Sequence, residues 1–165
     1  MHVSVAPGPL SWPVRNRRKV QSGVGLIEVL VAVLVLSIGF LGVAALQVMS
    51  LSTNNSAMAR SMATISSYSI LDAMRADITT AGAGGYNTTF AANACPAAAG
   101  TLVSAQLNQW CSQLAKNLGA SAFTKGTIAC TGTNPVSCTV TIAFDDSRAG
   151  VGGSSNQQIV TKGML

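Results

Sequence analysis

The hydrophobic pattern of the chain is dominated by one apolar run, which extends from Val24 to Leu46 and has Glu28 as its one ionisable side chain. At 1.5 Å per residue, a helix over these 23 residues is about 34 Å long, enough to cross the hydrocarbon core of a bilayer. Residues 47–79 contain neither proline nor glycine, so we expect this helix to start at Val24 and to continue to about Thr79. The pattern therefore predicts a transmembrane half at 24–46 and an extramembrane half at 47–79.

The remaining residues, 80–165, have mixed periodicity that is typical of a small α+β domain. A glycine cluster at 81–85 predicts the end of the long helix. A second, short helix with Gly119 as its C-terminal cap is predicted from helical spacing of apolar side chains at Val103, Leu107, Cys111, Leu114 and Leu118. Strict alternation from Cys138 to Phe144 predicts a half-buried strand, with a weaker C-terminal strand at about 158–161.

The net charge of +5 is concentrated in one place. Residues 1–23 carry +4, from Arg15, Arg17, Arg18 and Lys19, and the rest of the chain carries only +1. Basic residues directly before an apolar run are typical of an inserted segment whose positive flank stays inside, and a solvated basic tail is the alternative. The charge distribution therefore does not predict a nucleic-acid-binding surface.

Glu28 is the unusual residue of the apolar run. Burial of a carboxylate costs about 2.5–3.5 kcal/mol at the centre of a bilayer and less near its edge. Two ordinary interpretations of the apolar run, a plain membrane anchor and a secretory signal cleaved after Ala45, therefore leave Glu28 unexplained. Cleavage after Gly23 would create an α-amino group on Val24, four residues before Glu28. On a neighbouring helix displaced along its axis, that amine could meet the carboxylate and neutralise both charges.

The segment from Gly23 to Glu28, after a basic leader and before an apolar helix, resembles the leader of type IV prepilins. In that family a membrane peptidase cuts after the glycine and N-methylates the new terminus. The resemblance implies that 1–23 is the leader, that Gly23 and Val24 form the cleavage and methylation site, and that Glu28 is the subunit-assembly acid. Val24 stands where the family usually has Phe or Met.

Further segments, notably 34–42 and 69–77, are similar to the PilV family of minor pilins. This resemblance implies an α+β, pilin-like fold in which a long N-terminal helix, with its first half in the membrane, packs on a small antiparallel β-sheet head. The implied function is a structural one in type IV pilus initiation or at the pilus tip, serving twitching motility and adhesion. The implied locations are the inner membrane, with the head in the periplasm, and then the pilus fibre.

The partners implied by the resemblance are a prepilin peptidase, other minor pilins, the major pilin and a tip adhesin. A minor pseudopilin of type II secretion is the alternative, because it shares the leader and the acid. A DNA-binding competence pilin is a further alternative, although the charge of +1 after residue 23 provides no basic stripe. The last alternative is a membrane-tethered enzyme or receptor.

Two apolar stripes run along the extramembrane half of the long helix, on roughly opposite faces. The first consists of Leu51, Met58, Met62 and Ile65, and the second of Leu71, Met74 and Ile78. We interpret the first stripe as the side that packs on neighbouring pilins and the second as the side that packs on the subunit's own head. The alternative is that both stripes pack on the head.

Four cysteines follow the predicted membrane segment, at positions 95, 111, 130 and 138. An even number in an exported head indicates disulfides, and of the three possible connectivities we favour Cys95–Cys111 with Cys130–Cys138. Cys130 opposite Cys138 in a hairpin also sets Ile128 against Val140. A zinc site with four Cys ligands is the rival, but the chain has no CxxC pair.

Catalytic chemistry finds little support in the sequence. Residues 24–165 contain no histidine, and the glycine cluster at 81–85 lacks the Lys-Ser/Thr of a phosphate-binding loop. We interpret the adjacent acids Asp145 and Asp146 as the end of a strand at a turn, with a weak calcium site as the alternative. The sequence therefore predicts a protein that is not an enzyme and that needs no cofactor.

Overall fold

The computed structural model of the protein describes residues 23–149 and 152–165. The predicted leader therefore lies outside the described residues, except for Gly23. The described residues divide into two units, one that ends at Leu41 and one that begins at Gly42. The helices and strands, in chain order, are α1 (Leu26–Ala76), α2 (Ile78–Gly82), β1 (Thr88–Ala91), α3 (Leu102–Leu118), β2 (Lys125–Thr131), β3 (Ser137–Phe144) and β4 (Gln157–Met164), with a short 3-10 helix (Ser147–Ala149) before β4.

Helix α1 is one continuous helix of 51 residues, and its bounds differ slightly from the predicted ones. It begins at Leu26 rather than Val24, and it ends at Ala76 rather than near Thr79. The break lies at Asp77, whose side chain accepts hydrogen bonds from Thr80 Oγ1 (2.7 Å) and from the hydroxyl of Tyr86 (3.3 Å). An aspartate that bonds nearby polar groups in this way competes with helix continuation, and the helix resumes as α2.

The sheet of the second unit is fully antiparallel, with strand order β1-β2-β3-β4. The predicted hairpin register is confirmed, because Cys130 pairs with Cys138 and Ile128 pairs with Val140. Alternation is also confirmed along β3, where every second side chain from Cys138 to Phe144 is buried. Strand β1 was not predicted, and β4 is longer than the segment expected at 158–161.

Helix α3 confirms the second predicted helix and its C-terminal cap at Gly119, which has φ of 99°. Its N-terminus is closed by a capping box between Thr101 and Ser104. One buried side chain joins α3 to the rest of the core, because Trp110 Nε1 donates to the Ser66 carbonyl of α1 at 3.0 Å. Trp110 also stacks edge-on against Phe90 of β1, with ring centroids 5.2 Å apart.

The second half of α1 packs on the sheet through a face on which many of the buried residues are small. Buried positions on this part of the helix are Ser56, Ala63, Ser66, Ser67, Ile70, Leu71 and Met74. Ser67 Oγ lies 2.7 Å from Thr161 Oγ1 of β4, and Met74 Sδ lies 3.7 Å from Cys130 Sγ of β2. The chain is therefore α+β and pilin-like, with a long N-terminal helix packed against a small four-stranded antiparallel sheet.

Candidate functional site

The predicted cleavage site lies immediately before the first turn of α1. Residues 23–25 are not helical, and the Gly25 carbonyl accepts the first hydrogen bonds of the helix, from Glu28 N (3.0 Å) and Val29 N (3.3 Å). The Gly23–Val24 peptide bond therefore lies in non-helical backbone, and Val24 is exposed. Backbone of this kind is open to a protease, which binds its substrate in an extended form.

Gly23 has no structural reason of its own to be glycine. A Cβ built at position 23 meets no described atom within 4 Å, and its φ lies outside the left-handed region. Gly126 of β2 is the opposite case, because a Cβ there would lie 2.9 Å from Phe90 and Trp110 ring atoms. Since the described fold accommodates a side chain at position 23, any requirement for glycine comes from a partner of the chain.

Glu28 lies in the first turn of α1 and is exposed. A carboxylate at this position is stabilised by the positive end of the helix dipole, typically by about 0.3–1 kcal/mol. Within the described residues, no hydrogen bond or ion pair is made by its carboxylate. The acid therefore has a favourable position on its own helix but no cationic partner among those residues.

The apolar half of α1 is long and hydrophobic enough to cross a membrane, and none of the most apolar stretch is buried. Its large aliphatic side chains, from Leu26 to Leu46, are all more than half exposed. Exposed apolar surface of this extent on one helix requires a bilayer or other helices to cover it. This finding fits membrane anchoring, as the sequence predicted.

The two stripes on the second half of α1 differ in exposure. In the first stripe Leu51, Met58 and Ile65 are exposed, with Met58 at 59%, and Met62 is half-buried. In the second stripe Leu71 and Met74 are fully buried, whereas Ile78 lies beyond the break at Asp77 and is exposed. Leu71 and Met74 of the second stripe are therefore in the core of the head, and the idea that both stripes pack there is wrong for Leu51, Met58 and Ile65.

The four cysteines form two disulfides, Cys95–Cys111 and Cys130–Cys138, which is the favoured connectivity. The Cα atoms are 5.6 Å apart in the first pair and 4.0 Å apart in the second. The first ties the segment after β1 to α3, and the second joins directly opposed residues of the β2–β3 hairpin. The two pairs thus hold the head at separate places.

Asp146 has a role that sequence reasoning missed. Its carboxylate is buried and accepts hydrogen bonds from Ser56 Oγ (2.6 Å) and from Arg60 Nη2 (3.0 Å) of α1. The loop after β3 is further tied to the helix by Ser52 Oγ, which donates to the Arg148 carbonyl. Asp146 therefore fastens this loop to α1. The one available sequence signal was Arg60, a lone base on the same face of the helix as Leu71.

Asp145, the other acid of the pair, is exposed and serves the turn that follows β3. Its carboxylate accepts a hydrogen bond from Ser147 N at 2.9 Å, and this bond lowers the pKa of Asp145 below its ordinary value. The two neighbouring carboxylates therefore have different partners. Among residues 23–149 and 152–165, no group of three or more His, Cys, Asp or Glu is arranged to hold a metal ion.

A second buried polar group, Tyr86, was also missed. Its side chain is fully buried, and its hydroxyl donates to Gln106 Oε1 of α3 and to Asp77 Oδ2. Burial, followed by the nearby Asp77 carboxylate, raises the pKa of Tyr86 from 10.0 to about 12. Tyr86 therefore joins the break after α1 to α3 through a neutral hydroxyl.

Comparison with known protein families finds a match at the N-terminus. The family model described as the prokaryotic N-terminal methylation motif matches residues 18–44, a stretch that includes Gly23, Val24 and Glu28. No match to the chain is found among curated proteins or among solved structures. Proteins with this motif are structural subunits, and the motif implies processing by a prepilin peptidase and assembly into a pilus or pseudopilus. The matched leader thus supports a type IV pilin-like or pseudopilin protein.

Proposed function

We propose that the chain is a minor pilin of the PilV type, which a prepilin peptidase processes and which takes part in the initiation or the tip of a type IV pilus. The observation that carries this proposal is the methylation motif at 18–44, together with the exposed, non-helical backbone at Gly23–Val24 before α1. In this proposal 1–23 is the leader, 24–46 the membrane half of the helix, 47–79 its periplasmic half, and 80–165 the head.

Glu28 is proposed to pair with the α-amino group of a neighbouring subunit. Support comes from its position on the exposed first turn of α1 and from the absence of any cation bound to it in the described part of the chain. Pairing would neutralise two charges that are costly in a bilayer, and it would do so only within an assembly. The acid would thereby set the axial position of one helix against the next.

The exposed first stripe of α1 supports assembly through the same helix. Leu51, Met58 and Ile65 continue the apolar surface of the membrane half outside the predicted bilayer. In the proposal, neighbouring pilins cover this surface, and a tip adhesin and the major pilin are further partners. The single-pass topology, with the head in the periplasm before assembly, follows from the basic residues of the leader.

The N-terminus of the mature protein tests the processing step. Mass spectrometry of protein from the native cell should find a chain that starts at an N-methylated Val24. A chain that starts at Leu46 would show that the apolar run is an ordinary secretory signal and would overturn the proposal.

Two further experiments separate a pilus from a secretion system and test the acid. Deletion of the gene should impair twitching and leave enzyme secretion intact, whereas the reverse result would favour a pseudopilin of type II secretion. Glu28→Leu and Glu28→Gln should both insert in the membrane and both fail to assemble, because neither can pair with an amine. Normal assembly of Glu28→Gln would refute the ion-pair role.

A further inference from the structure

Strand β4 forms one edge of the sheet, and its outer side is unpaired. The Leu165 amide donates to the Val136 carbonyl at 2.9 Å, which identifies this residue pair as a hydrogen-bonded pair of the antiparallel ladder. Such pairs alternate along a ladder with pairs whose backbone groups point away from the partner strand. The N–H and C=O groups that point outward are therefore those of Gln158, Val160, Lys162 and Met164.

These outward groups have no partner in the described part of the chain. No hydrogen bond outside the β3–β4 ladder involves the backbone of any of the four residues there. Strand β4 is eight residues long, contains no proline and has one charged side chain, Lys162. The devices that usually protect an edge strand are short length, proline, bulges and several charges, and β4 has only one lysine among them.

The opposite edge of the same sheet is short and partly covered. Strand β1 has four residues, and the Ala91 carbonyl at its end is already bonded to Ala94 N (2.9 Å) in the turn that follows. The backbone of Thr89 and the N–H of Ala91 remain outward along its length. The sheet is thus protected at one edge and open at the other, which indicates that the β4 edge is available to a partner strand.

Apolar side chains flank the open edge on the outer face of the sheet. Val160 is 54% exposed and Met164 is 71% exposed. On the inner face, Leu71 and Arg75 of α1 lie closest to Gly163 of β4. Side chains on both faces could therefore contact an added strand.

Helix geometry extends the inner flank. Since Leu71 and Arg75 lie toward β4 and Met74 lies toward β2, the side of α1 beyond Arg75 faces the open edge. Tyr68 lies on that side and is exposed. An added strand could therefore place apolar side chains on Tyr68 on one face and beside Val160 and Met164 on the other.

The charge at this edge is positive. Lys162 is exposed and has no ion-pair partner among the described residues, whereas Arg75 is paired with Asp72. Opposite charges across neighbouring strands stabilise a pair by about 0.2–1 kcal/mol, and like charges destabilise it. A complementary strand therefore carries a carboxylate near Lys162.

A second copy of the chain fits this edge poorly. Antiparallel pairing of β4 with β4 relates two copies by a two-fold axis perpendicular to the sheet. The segments of α1 that pack on the two sheets would then run in opposite directions. Two chains anchored in one membrane have these segments running in the same direction, which disfavours β4–β4 pairing of two copies and favours a strand from a different protein.

We propose that the β4 edge binds, by strand addition, an extended segment of a different subunit of the same fibre, apolar on both faces and with a carboxylate opposite Lys162. This inference rests on the proposed function, since it takes the partner from the pilus assembly. Backbone hydrogen bonds to Gln158, Val160, Lys162 and Met164 supply the register, and the flanking apolar side chains supply the selectivity.

Photocrosslinking in cells that produce the full chain tests the proposal. The probe is p-benzoylphenylalanine in place of Met164, and the cross-linked peptide is identified by mass spectrometry. Val160→Pro removes one outward N–H without touching the β3–β4 ladder, and Val160→Ile, which keeps that N–H and an apolar side chain, is its matched control. We expect the cross-link yield of Val160→Pro to be about tenfold or more below that of Val160→Ile.

Lys162→Glu tests the same edge without changing the backbone, so it remains decisive if Val160→Pro does not fold. It should lower the yield, because it places a carboxylate beside the carboxylate of the partner. Lys125→Glu is the matched control, since Lys125 is also exposed but lies on β2, away from the edge. Equal yields for the two glutamate variants would overturn the proposal.

The identity of the cross-linked peptide gives the remaining outcomes. A peptide from another subunit with a prepilin-type leader supports strand addition. A peptide from a second copy, from a protein that is not a fibre subunit, or no cross-link at all would overturn it. N-terminal analysis of protein from the same cells separates the two proposals. Correct processing without a cross-link refutes only strand addition at the β4 edge, whereas a failure of processing refutes the proposed function.

Discussion

A guanidinium nitrogen of Arg60 lies 3.0 Å from a carboxylate oxygen of Asp146, and only 6% of the aspartate side chain is exposed against 41% of the arginine. The pair joins the long helix to the loop after β3, across 86 residues of sequence. Because the acid is buried and the base is partly solvated, the loss of Arg60 and the loss of Asp146 change the free energy of unfolding by different amounts. Removal of the base leaves a buried anion with Ser56 as its remaining side-chain partner.

We therefore expect Arg60→Met to destabilise the protein more than Asp146→Asn. The first change should cost about 1–3 kcal/mol and the second about 1 kcal/mol, because Arg60 can be hydrated when its partner is lost. Urea unfolding of the detergent-solubilised protein measures both. Arg75→Met is the control, since its pair with Asp72 is exposed at both ends and should change stability by less than about 0.5 kcal/mol. Equal losses for Arg60→Met and Arg75→Met would contradict the assignment.

Gly23→Val should block leader removal and leave the fold unchanged. A Cβ at position 23 meets no described atom within 4 Å, so the side chain costs no packing energy. A peptidase that accepts only a small residue before the cleaved bond would exclude the valine. Immunoblotting for the longer, unprocessed chain and circular dichroism of the purified protein measure the two effects.

Gly39→Ala is the control for that change, because its site on α1 is equally open. It should be processed like the wild type. Normal processing of Gly23→Val would mean that cleavage does not occur at this glycine.

Met58→Glu should prevent fibre incorporation without unfolding the head. Met58 is 59% exposed, so a charge at this position remains in water in the free subunit but would be buried against a neighbouring pilin. The amount of the protein in sheared fibres, relative to whole cells, measures incorporation. Urea unfolding should show a change of less than about 0.5 kcal/mol.

Met74→Glu provides the contrasting case. Met74 is fully buried in the head, so a glutamate there should destabilise the protein by more than about 3 kcal/mol. If Met58→Glu were equally destabilising, the first stripe would belong to the head and not to an assembly surface.

The buried hydroxyl of Tyr86 makes stability depend on pH in the alkaline range. Its pKa in the folded protein is raised to about 12 from 10.0, so folding favours the protonated form. The stabilisation is fully present below pH 10 and is lost as the pH rises toward 12, by about 3 kcal/mol if the whole shift is expressed.

Tyr86→Phe should remove this pH-dependent stabilisation. The difference in free energy of unfolding between wild type and variant should therefore shrink as the pH rises from 8 to 11. Urea unfolding at each pH measures the difference, and absorbance at 295 nm follows ionisation of the tyrosine. A difference that stays constant over this range would show that Tyr86 ionises alike in the folded and unfolded chain.

The sequence predicted elements whose signal is local. The alternation from Cys138 to Phe144, the apolar spacing that ends at Gly119, and the apolar run before Leu46 each reflect a period that one element imposes on its own residues. The cysteine pairing was accessible because Cys130 and Cys138 occupy opposed positions of one hairpin.

Features that depend on distant partners were not predictable in this way. Strand β1 has only four residues and gains its place from pairing with β2, 34–40 residues away. The end of α1 at Ala76 depends on Asp77, whose carboxylate accepts hydrogen bonds from Thr80 and Tyr86. A sequence pattern does not reveal which side chains will compete with a helix. The partner of Asp146 is 86–90 residues distant, so its burial could not be inferred from the adjacent acid.

The Cys130–Cys138 disulfide has a consequence for the alignment of the whole sheet. A slip of one residue between β2 and β3 would turn Val140 and Ile142 to the solvent and Thr139 and Thr141 to the core, because neighbouring side chains of a strand point to opposite faces. A covalent link between two directly opposed residues forbids that slip, even if every hydrogen bond of the hairpin opens. Since β1 pairs with β2 and β4 pairs with β3, the one bond preserves the central hairpin on which both edge strands align after transient unfolding.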